Sequence, residues 1–170
     1  HVAEGLGYGP LYGTIKAELR KNGIDPAEIA YLTVVACTPL AHSERRGTRR
    51  VPPDPKMAQV CRPNLMQSLD AADVDYVLLL GGHAVRAWRP KLRLDDVAGK
   101  WFLWNSRWMV FAAEHPSVML TGNRGGITQD WRDQIARFCH GVRDQVDTEV
   151  LSGVCIKCDD PMYTWDDDGV

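Results

Sequence analysis

Apolar positions along the chain recur first at helical spacing and then in short continuous runs. Leu11, Ile15 and Leu19 share one helical face, and Asn22 with Gly23 closes that helix by supplying a left-handed stop. Asp25, Pro26 and Glu28 have the order of a cap, a first-turn proline and a capping-box acid, which predicts a short helical turn. Tyr31 to Ala36 is rich in β-branched residues and predicts a strand. Cys37 to Pro53 then reads as a loop that is long for a compact domain, a class of loop that tends to be functional. Asp54 and Pro55 open a second helix, with Met57, Cys61, Leu65 and Leu69 on one stripe and Pro63 expected to bend it. Tyr76 to Leu80 is continuously apolar, as in a parallel strand covered on both faces. Trp101 to Trp104 and Trp108 to Ala112 flank Asn105, Ser106 and Arg107 and predict a hairpin. The last helix runs from about Thr128 to Arg143, with Trp131, Ile135, Phe138 and Val142 inward.

Strands separated by helices predict an α/β fold, a three-layer α/β/α sandwich with a central, mainly parallel sheet. Ligands in such folds bind at the carboxyl ends of the strands, where Cys37, the arginine-rich loop, Gly81 and His115 are expected to meet. There is no internal repeat and no low-complexity linker. With 170 residues, 45% of them hydrophobic and 25% charged, the chain has the length for one ordinary domain with a real core. We assign residues 1–150 to that domain and residues 151–170 to an acidic tail. The longest apolar run is Tyr76 to Leu80, and the start carries neither the charged nor the apolar region of a signal peptide, so no membrane association is expected and a cytoplasmic, intracellular protein is. The first residue is His1, which predicts that an N-terminal piece is missing.

The net charge of −2 becomes informative when divided along the chain. Residues 151–170 carry −4 and residues 1–150 carry +2. Arg45, Arg46, Arg49 and Arg50 fall within six residues of one loop, and Arg86, Arg89, Lys91 and Arg93 follow the Tyr76 strand. Such clusters suit phosphate contacts, whose affinity comes mostly from counterion release; a solvated loop is the alternative. Glu114, His115, Pro116 and Ser117 end the apolar strand before them. Pro116 restricts the chain where the strand stops, so His115 should project into the cleft beyond the sheet, although many strand ends carry a polar residue with no chemistry.

Three segments upstream of that turn, LTVVACTPL from Leu32, VCRPNL from Val60 and DYVLLLGGHAVRAW from Asp75, stand in a telling order with it. Together with His115-Pro116-Ser117 they resemble the uracil-DNA glycosylase superfamily, especially its iron-sulfur branches, families four and five, over roughly Gly9 to Val142. The resemblance implies a DNA partner and a flipped base whose N-glycosidic bond is cut by water, in base excision repair. It makes His115 the hydrogen-bond donor at the uracil oxygen, and brings Ser117 and the residues Val118 to Leu120 to the DNA. The family's water-positioning Gly-Glu-x-Pro-Gly is matched only by a remnant, Ala3 to Gly7, which makes Glu4 the candidate acid. Its Pro-Phe-Val-Gly segment reads Pro10, Leu11, Tyr12 and Gly13, so Leu11 replaces the stacking aromatic unless Tyr12 or Tyr8 substitutes. Thr33 stands where an asparagine reads uracil, a hydroxyl in place of an amide that donates and accepts together. Such a bidentate contact is worth about 1–3 kcal/mol in base discrimination. A branch that traps uracil covalently has a Lys-Arg-Arg-Ile-His loop. Here Arg49, Arg50 and Val51 are kept but Pro52 replaces the histidine, which excludes that bond there and leaves His42 as the loop's remaining imidazole.

Cys37 and Cys61 match two of the four iron-sulfur ligands that the resemblance implies, and Cys155 and Cys158 form a Cys-x-x-Cys near the C-terminus rather than the N-terminus. Four thiolates suit a [4Fe-4S] cluster or a zinc ion, and unligated thiols are the third reading. Cys139 beside Phe138 reads as a small buried residue. The functional alternatives are a DNA glycosylase for uracil or a related damaged base, a catalytically inactive relative that binds DNA or a protein partner, and a hydrolase of different specificity. Trp101, Trp104 and Trp108 add the possibility of an aromatic platform for single-stranded DNA.

Overall fold

The computed structural model describes residues 10–34, 40–43, 47–50, 55–104, 107–118 and 126–144. Helix α1 (Pro10–Lys21) starts at its proline and ends at Gly23, whose φ of +81° supplies the left-handed stop. A single 3-10 turn (Pro26–Glu28) follows, capped by Asp25, whose carboxylate accepts the Ala27 N–H at 2.9 Å. Strand β1 (Leu40–Ser43) and strand β2 (Gly47–Arg50) pair antiparallel as a hairpin. Helix α2 (Pro55–Ala72) runs through Pro63 to strand β3 (Tyr76–Leu80), which passes directly into helix α3 (Gly81–Trp88). A short helix α4 (Leu94–Val97), strands β4 (Trp101–Trp104) and β5 (Trp108–Ala113), and helix α5 (Gln129–Arg143) complete the order.

The main sheet has the order β3-β5-β4, with β3 and β5 parallel and β4 and β5 antiparallel. β5 is the central strand, and all six of its residues are buried, as its unbroken apolar run requires. Side chains alternate across a strand, so β5 feeds two cores. Val110 and Ala112 join Val77, Leu79, Phe102 and Trp104 of the sheet with Leu69 of α2, Val85 and Trp88 of α3 and Val97 of α4. Phe111 and Ala113 join Ile15 and Leu19 of α1 with Trp131, Ile135, Phe138 and Cys139 of α5. The fold is therefore a mixed α/β arrangement in which helices flank a small mixed sheet.

The structure departs from the sequence reading at several points. Residues 31–34 form no strand; Tyr31 instead turns its ring edge-on to Tyr12 of α1 at 4.6 Å, and Leu32 packs on the core of α2 and α3. The stretch read as one loop from Cys37 contains the β1–β2 hairpin, in which Leu40 to Ser43 pair antiparallel with Gly47 to Arg50. The sheet is not mainly parallel among the described residues, since the hairpin places β4 antiparallel on β5. Met57 lies off the core stripe of α2, 40% exposed, and Ala58 is buried in its stead. Trp101, Trp104 and Trp108 offer no exposed platform: Trp104 and Trp108 are buried in T-shaped contact with Trp88, and Trp101 stacks on Phe138 at 5.5 Å. Such pairs add about 0.5–1.5 kcal/mol each beyond burial, and a solvent-facing ring would forgo it.

Phe111 is fully buried and meets both Trp101 and Phe138. Truncation to alanine is expected to cost about 3–5 kcal/mol, read as a lower midpoint in urea unfolding at unchanged slope.

Candidate functional site

The ladder between β3 and β5 ends at the Leu80–Ala113 pair, so the peptide groups beyond it need other partners. α5 supplies them. The Glu114 N–H donates to the Gln134 side-chain oxygen at 3.3 Å, and the Trp131 indole N–H donates to the Glu114 carbonyl at 2.9 Å. The Gln134 amide is itself oriented by donating to the Asp130 carboxylate at 2.8 Å. α5 can do this because Thr128 caps it, accepting the Trp131 N–H, and because Trp131 and Ile135 are fully buried against β5. His115 follows, then a fully buried Pro116, and the Val118 N–H returns to the His115 carbonyl at 3.1 Å to close the turn.

The His115 ring is held by its own turn. Its Nδ1 accepts the Ser117 backbone N–H at 3.2 Å and lies 2.7 Å from the Ser117 hydroxyl. A nitrogen that accepts an amide proton carries none itself, so the proton of the neutral ring is on Nε2. Burial, followed by the nearby charge of His83, holds the imidazole below its ordinary titration range. The result is a neutral hydrogen-bond donor, Nε2–H, where β5 ends.

Gly81 fits this arrangement for two reasons. Its φ is +85°, and a Cβ built on it would lie 2.7 Å from the His115 Cβ. Both parallel strands thus end side by side, with the first residue of α3 against the histidine. His83 stands two residues further along the same turn of helix, exposed.

Of the other candidates, Tyr12 is half-buried in the first turns of α1, edge-on to Tyr31 and with the Lys16 ammonium 4.2 Å from its ring centre. Burial first, then the neighbouring Tyr12, pushes the Tyr31 phenol up to about 12, so it stays protonated. Leu11 lies in α1 with its side chain outside the described residues, and Thr33 is exposed in an irregular segment. Arg49 and Arg50 belong to β2, in register with Ala41 and Leu40; their side chains, and that of His42, lie outside the described residues. So do Glu4, Tyr8, Arg45, Arg46, Cys37, Cys155 and Cys158 entirely. Cys61 is a half-buried free thiol on α2, and Cys139 is a buried one on α5 whose thiol burial pushes up to about 11. Among the described residues no three metal-ligating side chains gather.

The structure therefore brings together His115 and Ser117, with Gly81 beneath them. Sequence reasoning took Trp131 for core alone and passed over Gln134 and His83. A signal for Gln134 was present: it lies one residue before Ile135 on the inward stripe, and a polar residue on a buried face needs partners.

These features define an α/β protein with a candidate site at the carboxyl ends of two parallel strands, built around a neutral imidazole donor. Residues 10–138, most of the chain and including both strand ends, match the uracil DNA glycosylase superfamily, and the chain belongs to that superfamily. Membership implies a DNA glycosylase-like function and a DNA substrate, without fixing the branch. No individual curated protein aligned significantly with the chain. No helix among the described residues is long and apolar enough to cross a membrane.

Lowering the pH below about 6.5, the ordinary histidine value, protonates this imidazole in the unfolded chain before the folded one. The unfolded state then binds more protons, so the contribution of His115 to stability is expected to decline as pH falls through that window. Nitrogen-15 spectra of the imidazole should meanwhile show Nε2 protonated and Nδ1 bare; the reverse pattern would contradict the assigned tautomer.

Proposed function

We propose that the protein is a DNA glycosylase that hydrolyses the N-glycosidic bond of uracil or a related damaged base, inside the cell, as the first step of base excision repair. The observation that carries this reading is the neutral His115, whose Nδ1 is occupied by Ser117, which leaves the ring proton on Nε2 as a donor. In such a reaction the oxygen of water bonds to C1′ of the sugar and gives up a proton, for which Glu4 is the assigned acceptor, while the bond from C1′ to the base nitrogen breaks and the departing base takes the electron pair. The developing negative charge on the base oxygen is what a fixed donor stabilises; loss of one such donor costs about a hundredfold to a thousandfold in rate. A neutral donor keeps its proton, so the base leaves as an anion held by a hydrogen bond.

Around this centre we assign Tyr12, or Leu11, to the face of the flipped base, Thr33 to its edge, and Glu4 to the attacking water. Arg45, Arg46, Arg49, Arg50 and Ser117 are assigned to the DNA backbone. The clustering of four arginines within six residues supports that reading, because closely spaced positive charges suit phosphate contacts. In this reading the complete chain forms the three-layer α/β/α sandwich of which the described sheet and helices are part.

A four-sulfur site built from Cys37, Cys61, Cys155 and Cys158 belongs to the same proposal. Cys61 supports it as a half-buried thiol with no disulfide, and four thiolates are a donor set that a [4Fe-4S] cluster, or zinc, accepts. Such a group would supply a structural cross-link between α2 and the tail. Protein prepared without oxygen is expected to carry iron and sulfide together, with Cys61→Ser lowering both; zinc alone would select the other metal, and neither would leave free thiols.

The second reading, a catalytically inactive relative that binds DNA or a protein partner, is favoured by Thr33, which is exposed and outside any strand. An oligonucleotide with a single uracil, treated with the protein and then with alkali, separates the two. Scission in the wild type and a loss of about a hundredfold or more in His115→Ala at retained DNA affinity is the expected result. Neutralising Arg49 and Arg50 should weaken binding and flatten its salt dependence together. Binding with no scission would establish the inactive relative.

A further inference from the structure

The described residues contain one buried polar side chain, and it is not in the turn that carries His115. Gln134 is 5% exposed, on a helix otherwise packed through Trp131, Ile135, Phe138 and Cys139. A buried amide persists where its hydrogen bonds are made, and Gln134 makes one at each end: its oxygen accepts from Glu114 N–H and its nitrogen donates to Asp130. Those partners fix which way the amide faces, since only the oxygen can accept from an N–H. About one turn earlier on α5, the Trp131 indole N–H donates to the carbonyl of the same Glu114. Both backbone groups of the residue preceding His115 are therefore bonded to α5, at the point where the ladder with β3 has stopped.

From this we infer that Gln134, oriented by Asp130, is a positioning residue for His115, setting where Nε2–H points by holding the peptide of Glu114. The reach of the effect follows from the covalent chain. Gly81 lies close against His115 on one side and Pro116 is fully buried on the next residue, so the remaining backbone freedom that tilts the imidazole lies in the φ and ψ of Glu114. Gln134 and Trp131 remove that freedom from both ends of one residue. A site that depends on a single donor at a defined place is sensitive to such tilting, since a misplacement of about 1 Å can cost on the order of a hundredfold.

The proposal rests on the glycosylase reading for its turnover measurement alone; its spectroscopic measurement does not need activity. In the intact chain, Gln134→Met keeps the side-chain volume and removes both hydrogen bonds. The expected result is a fall of about tenfold or more in single-turnover uracil release at saturating protein, with DNA affinity within about twofold. The imidazole nitrogen spectrum should also depart from the wild-type pattern of bare Nδ1 and protonated Nε2. The double variant Asp130→Asn with Gln134→Glu exchanges amide and carboxylate between the two positions. The carboxylate then accepts both from the amide introduced one turn earlier and from the Glu114 N–H, which should restore the spectrum and most of the rate. A purely structural Gln134 would lower the melting temperature in Gln134→Met and leave the His115 nitrogens and the rate unchanged, which overturns the proposal. If Gln134→Met does not fold, the double variant decides: a wild-type nitrogen pattern supports the exchange of roles and an altered one overturns it. A wild type inactive on uracil fails the glycosylase reading while the nitrogen spectra still judge the positioning role.

Discussion

The described ladder between β3 and β5 ends at the Leu80–Ala113 pair, and the peptide of Glu114 is where the sheet becomes a site. A partly buried N–H and carbonyl left without partners would cost about 1–3 kcal/mol each, comparable with a sizeable part of the stability of a domain this size. α5 meets that requirement with two side chains, and to do so it must lie against β5 with Trp131 turned toward the strand end. The packing of Ile15, Leu19 and Phe138 on the same face follows from that placement, as does the path of α1 across α5. One peptide group thus ties the second core of the protein to its candidate chemistry.

The electrostatics of the His115 turn differ from those of the arginine-rich hairpin. His115 is kept neutral by burial and by a neighbouring imidazole, whereas the arginine-rich hairpin carries fixed positive charge. A cationic surface gathers DNA from solution, and its contribution weakens with salt. A neutral donor in a sheltered place acts at short range on a charge that exists only while the bond is breaking.

Much of the architecture could be read from apolar spacing, and the failures have a common cause. The helix from Pro10, the parallel strand from Tyr76, the tryptophan hairpin and the helix from Gln129 all bury a face whose period is visible in one dimension. Residues 31–34 have the composition of a strand but gain nothing from a ladder when Tyr31 finds Tyr12 and Leu32 finds the core; tertiary packing overrides the propensity. His115 and Ser117 were legible because a proline lies between them and pins the turn. Gln134 left a trace as a polar residue on the inward stripe with Asp130 one turn before it, but its backbone partner, the Glu114 N–H 20 residues away, could not be read from spacing. Gly81 was visible as a residue at a strand end, but the His115 Cβ it accommodates is a contact only three dimensions can show.

β3 passes into α3 with no connecting residue: Leu80 is at once the last residue of the strand and the cap of the helix. Such a junction has no slack to absorb insertions or deletions, since one added residue would rotate α3 about its axis and carry Gly81 off the histidine. The constraint falls on chain length at the junction, so an exchange of side chain at Leu80 keeps the register of α3 where an insertion would lose it.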